Sequence, residues 1–176
     1  MDVEELKYPI GRYQVEENID KAEVKRLIEE IELLPERLSA AIKGLTLQQL
    51  QTPYRPDGWT IQQVVHHIAD SHLNAYIRFK LALTEDKPII KPYDEKLWAE
   101  LPDSKLADIN ISLTLIDALH KRWTTLLKQL GKKELDREFL HPESGMKNVR
   151  ETISHYAWHS NHHLAHITSL KRRMNW

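Results

Sequence analysis

Apolar residues recurring three and four positions apart constrain this chain more than any other feature. In DKAEVKRLIEEIELLPERLSAAIKGL the residues Val24, Leu27, Ile28, Ile31, Leu34 and Leu38 keep helical spacing. Asp20 with Glu23 fits a helix-capping arrangement, and Pro35 is expected to kink or divide the helix. Thr60 reads as the N-cap of a second helix, TIQQVVHHIADSHLNAYIRFKLAL, ending near Thr84. A third runs from about Ile109 to Leu130 and stops at Gly131, and a fourth covers Val149 to Met174. Four long amphipathic helices with almost no strand pattern predict an all-α four-helix bundle.

The remaining segments are connections. Residues 1–19 carry Pro9 and Gly11 without periodicity and read as an extended arm on a single domain spanning 1–176. LTLQQL and the loop TPYRPDGW join the first two helices. DKPIIKPYDEKLWAELPDSK is a long loop after the second helix, and its Tyr93, Asp94 and Trp98 could cover a pocket mouth. Glu143-Ser144-Gly145 marks a loop or small hairpin.

The fourth helix contains HYAWHSNHHLAHI, which holds five of the ten histidines in the chain. Random placement of that many would give about half an i,i+4 pair. This segment has three: His155/His159, His159/His163 and His162/His166. On a helical wheel, Val149, Ile153, Tyr156, Leu164, Ile167, Leu170 and Met174 form the apolar face, with His163 about 40° and His159 about 80° from its centre. Two imidazoles one turn apart can bind one ion, and a third ligand must come from elsewhere. His66, His67, His72, His120 and His141 are the candidates. On the second helix His72 falls on the core face with Ile61, Val65, Ile68, Tyr76, Phe79 and Leu83. His67 lies about 120° away, on a polar stripe through Ser71, Asn74 and Arg78. Periodicity gives the third ligand to either.

Composition removes several classes. With no cysteine there is no disulfide scaffold, cysteine nucleophile or thiolate metal site. A net charge of −1 gives no footprint for nucleic acid or an anionic membrane. Lys171, Arg172 and Arg173 complement a helix C-terminus. No apolar run suits export or membrane spanning, so a cytoplasmic location is expected. Ser160 stands where a zinc-protease helix has its glutamate, and paired Glu-x-x-His motifs of di-iron bundles are missing.

GWTIQQVVHHIADSH, followed about ninety residues later by YAWHSNHHLAHI, resembles the DinB/YfiT-like superfamily. The closer likeness is to the YfiT-type branch of metal-dependent hydrolases that includes bacillithiol S-transferases. RFKLALTEDKPIIKPYDEKLWAEL and LHKRWTTLL extend it over nearly the whole chain. The resemblance implies an up-down-down-up bundle with one divalent metal per chain, zinc or nickel, held by His67, His159 and His163. If the polar stripe faces a pocket instead of water, Asn74 and Arg78 should bind substrate. The implied activity is transfer of a small-molecule thiol, bacillithiol, to an electrophile. The alternatives are a hydrolase using metal-bound water and a non-enzymatic metal- or ligand-binding bundle. A homodimer is also implied.

Overall fold

The computed structural model describes residues 2–16 and 18–176; Met1 and Glu17 of the expected arm lie outside it. Its elements in chain order are α1 (Val3–Lys7), α2 (Lys21–Ile42), α3 (Leu47–Leu50), α4 (Ile61–Thr84), α5 (Glu95–Ala99), α6 (Pro102–Leu106), α7 (Ile109–Leu127), α8 (Lys132–Leu135), β1 (Glu138–His141), β2 (Gly145–Asn148) and α9 (Val149–Met174). The four long helices begin where the capping residues stand. Asp20 accepts from the Glu23 amide, and Thr60 forms a reciprocal capping box with Gln63. Asn148 caps α9 at its start, and Asn175 closes it in the left-handed conformation at φ 55°.

Four sequence expectations change. The arm is not extended throughout, because Asp2 caps the short helix α1. The long loop contains α5, capped by Asp94, and α6, with a proline in its first turn. Pro35 neither ends nor divides α2, which runs unbroken from Lys21 to Ile42. The third helix also stops slightly early, at Leu127. The small hairpin does form, as β1 antiparallel to β2 with Gly145 at φ 80° beside the turn.

α2 packs against α7 and α9, and α4 packs against the same two. Cross-helix contacts fix the directions. Arg150 reaches the Ile19 carbonyl, Asn161 reaches Glu30, and Lys171 reaches the Ala41 carbonyl, so α9 runs parallel to α2. His66 meets Ser112, His72 meets His120, and Phe79 packs on Trp123, so α7 runs parallel to α4. Ser71 lies against His159 and His67 against His163, so α4 and α9 are antiparallel. The bundle is therefore up-down-down-up. A parallel α4–α7 pair needs a connection that returns along a helix about 36 Å long, which segment 85–108 supplies.

The apolar core comes in two halves. One gathers Val24, Ile28, Ile31, Phe79, Trp123 and Ile153. The other gathers Leu34, Leu38, Ile61, Ile68, Ile116 and Ile167. On α4 the halves divide between Ala69 and Ala75, on α7 between Ile116 and Trp123, and on α9 between Ala157 and Ile167. His72, His120 and His159 occupy those gaps, so a layer of buried imidazoles crosses the bundle at mid-height.

Candidate metal centre

His67, His159 and His163 each offer one ring nitrogen, and the three nitrogens lie within 4.8 Å of one another. All three residues are buried. The ring centroids are 5.5 Å apart for His67 and His159, 4.7 Å for His67 and His163, and 4.4 Å for His159 and His163. One turn of α9 supplies two of them, and α4 supplies the third from the facing side. Trp59, just ahead of the Thr60 cap, lies 4.6 Å from the His67 ring and shields it.

Burial governs the electrostatics here. It pushes His67 down to about 4, with the nearby His166 adding to the effect. Burial also drives His159 and His163 well below the usual imidazole range, and neighbouring histidines reinforce the shift. Imidazoles held neutral at pH 7 are what a divalent ion requires as ligands. The donors fit an ion with all-nitrogen preference, and no carboxylate among the described residues joins the cluster.

A second group, His162, His163 and His166, also brings three ring nitrogens within 4.8 Å. It shares His163 with the first, so the two cannot both be complete with separate ions unless His163 bridges them. His166 already donates its Nε2–H to the Lys7 carbonyl at 3.0 Å and stacks on Tyr54 at 3.9 Å. His162 stacks on Trp158 at 4.4 Å. The triad drawing on two helices is the better chelate, since its arms come from opposite walls.

A cavity of about 380 Å³ opens over these rings, lined by Ser71, Arg78, Tyr93, His155, Tyr156 and Trp158 as well as the triad. Ser71 and Arg78 lie on the polar stripe, so that stripe faces a pocket. Asn74 does not line this cavity, and its side-chain amide donates to the Asp70 carbonyl one turn back, at 2.9 Å. Arg78 also lines an adjoining space of about 260 Å³ with His141, Lys147 and Glu151. Its Nε is buried without an acceptor. The Arg78 guanidinium stands 6.0 Å from the Tyr93 ring. Tyr93 and Glu95 from the long connection line the cavity, whereas Trp98 packs on Tyr93 at 4.5 Å.

Two features escaped the sequence reading. The arm folds back over the cavity, where Lys7 and Tyr8 line it and Tyr13 packs beside His155 and Trp158. Its aromatic residues were the only available signal. His72 reads from periodicity as a ligand candidate equal to His67, but it sits behind the cluster, fully buried, with Nε2 3.0 Å from His159 Nδ1. His66 faces α7 instead, donating to the Ala107 carbonyl and accepting from Ser112.

Residues 30–167 match the pattern of the DinB superfamily. The chain belongs to the DinB superfamily. A Bacillus mycoides protein named "putative metal-dependent hydrolase" is 53% identical over 99% of this chain and 100% of its own length. A Bacillus cereus protein of the same name is 54% identical over 98% of this chain and 99% of its own. YfiT from Bacillus subtilis, described as a probable metal-dependent hydrolase with an unusual four-helix bundle topology, superposes with a TM-score of 0.95. It is 51% identical, with 98% of this chain and 99% of YfiT covered. Within this superfamily the chain is YfiT-like.

Proposed function

We propose that His67, His159 and His163 hold one divalent ion, zinc or nickel, and that the chain transfers a small-molecule thiol to an electrophile. Bacillithiol is the proposed thiol where the host makes it. When bound, such an ion lowers the pKa of a coordinated thiol or water. The observation that carries the reading is a neutral all-imidazole donor set beneath a cavity whose wall contains Arg78, its Nε buried with no hydrogen-bond partner among the described residues. A thiol is acidic enough to need no dedicated base, and among the described residues the carboxylates lining this cavity, Glu95 and Glu143, are exposed. In this reading Arg78 holds an anionic group of the substrate by paired N–H donors, and Trp59 and Trp158 form part of the cavity wall. The new sulfur–carbon bond forms as the leaving group departs with its electron pair, and the thiol proton passes to solvent. Asn74 has no part in this proposal, because its amide is committed to the helix backbone.

A second reading, taken from the names of the relatives, is hydrolysis by metal-bound water. One incubation separates the two. Zinc-loaded protein, a thiol and a chromogenic aryl halide should consume thiol in step with halide and yield the thioether. Loss of halide without loss of thiol would favour hydrolysis instead. The homodimer is kept as a proposal, and a sedimenting mass near the 20.7 kDa of one chain would remove it. Among the described residues no helix is long and apolar enough to cross a membrane.

A further inference from the structure

Four buried groups form a continuous hydrogen-bonded line behind the cluster. His120 Nδ1 is 2.7 Å from the Ile31 carbonyl, His72 Nδ1 is 2.8 Å from His120 Nε2, and His72 Nε2 is 3.0 Å from His159 Nδ1. A carbonyl oxygen can only accept, and this fixes the direction of every bond. His120 must carry its proton on Nδ1, so a neutral His120 offers Nε2 as an acceptor. His72 then donates from Nδ1 and accepts at Nε2. His159 in turn donates from Nδ1, which leaves Nε2 as its lone pair. That nitrogen lies 3.4 Å from the Ser71 hydroxyl, on the cavity wall. Each supporting ring then uses one nitrogen as donor and the other as acceptor, which is the pattern of a neutral imidazole.

The line starts at Ile31 for a covalent reason. In an α-helix the Ile31 carbonyl would accept the amide N–H of residue 35. Residue 35 is Pro35, which has no N–H, yet α2 continues through it. The freed carbonyl points to α7 and accepts the hydrogen bond from His120 Nδ1–H. His163 has no such backing, since its Nδ1 is buried without a partner.

We propose that Pro35, Ile31, His120 and His72 form a tautomer-setting relay that presents Nε2 of His159 as a ligand, with His72 and His120 as positioning residues. The relay rests on the assignment of His159 as a ligand, and it extends that assignment into the bundle core. An imidazole held in one tautomer and orientation spends no free energy on switching when an ion arrives.

The test uses the full chain, free of metal and titrated with zinc against a chromogenic chelator. In wild-type protein labelled with ¹⁵N-histidine, two-bond ¹H–¹⁵N spectra should show His159 as the Nδ1–H tautomer before any zinc is added. His72→Phe removes the acceptor while keeping an aromatic ring of similar size. It should abolish that tautomer preference and weaken zinc binding by about 10- to 100-fold. His72→Gln, which keeps an acceptor oxygen within reach, should recover most of both. An Nε2–H tautomer in the wild-type protein would overturn the relay, and that spectrum does not depend on any variant folding. So would a folded His72→Phe protein that binds zinc as tightly as wild type, or a His72→Gln protein no better than His72→Phe. If the wild-type chain binds no zinc, the metal reading fails while the tautomer spectrum still tests the relay.

Discussion

His120 donates its Nδ1–H to the carbonyl of Ile31, 2.7 Å away on another helix. That carbonyl is free because Pro35, four residues on, has no proton to give it. One imino acid in α2 is thereby connected through two imidazoles to His159 on α9. The polar layer crosses the core at the boundary between its two apolar halves, where every buried nitrogen in the line has a partner. A partly satisfied layer at that depth would cost more than an apolar one.

Replacing Pro35 with alanine returns an N–H that competes for the Ile31 carbonyl. The variant should gain helix stability, up to about 3 kcal/mol, from the propensity change. It should lose about 1 kcal/mol as the His120 bond weakens. The distinguishing outcome is opposite motion: a higher apo melting temperature together with weaker zinc affinity, read by calorimetry and chelator competition. Both quantities rising together would disconnect Pro35 from the site.

Arg78 gives a kinetic prediction. Arg78→Gln removes the cation from the cavity wall without touching the histidines. The KM for an anionic thiol should rise by roughly tenfold, in line with the loss of one charge-assisted contact. The KM for an uncharged thiol should change little, and zinc content should stay at the wild-type level. Asn74→Ala should leave both constants alone, since its amide faces its own helix backbone.

Acid should destabilise the metal-free fold. In the unfolded chain histidines titrate near 6.5. Burial holds His67, His120, His155 and His166 at about 4 and His162 at about 3 in the folded chain. Below pH 6.5 the unfolded chain therefore binds more protons, so stability falls with pH down to about 4. Each such histidine contributes a slope approaching about 1.4 kcal/mol per pH unit. Asp70, raised to about 6 by burial, works in the other direction as it takes its proton early in the folded state. The histidines outnumber it. Urea midpoints of the apo protein should be flat above pH 7 and drop steadily from pH 6.5 to 5. An unchanged or higher midpoint at pH 5 would contradict the assignment of these rings as buried and neutral.

The long helices were legible because capping residues and apolar period agree. α9 begins at Val149 and ends at Met174, and α4 begins after Thr60, as the sequence indicates. His159 and His163 were legible for the same reason, as neighbours one turn apart near the apolar face. His67 was not. A wheel gives the angle of a side chain but not whether the polar face it occupies meets water or a cavity, and here the family resemblance supplied the answer. His72 shows the converse. Its angle places it in the core, but only the three-dimensional contacts show that it backs His159 from behind instead of joining the His67, His159, His163 cluster. Pro35 was read as kinking or dividing α2, and the division fails because local rules do not see the distant His120 that takes up the orphaned carbonyl. The arm over the cavity left no periodic trace, because Lys7 contributes its backbone carbonyl and any residue has one.

The central claim is the identity of the metal ligands, and metal content by mass spectrometry tests it directly. Untagged wild-type protein, His67→Ala, His163→Ala and His166→Ala would be loaded with zinc, desalted and measured against protein concentration. About one ion per chain is expected in wild type and His166→Ala, and none retained in His67→Ala or His163→Ala. Retention by His67→Ala with loss from His166→Ala would transfer the site to the His162, His163, His166 group and contradict the claim.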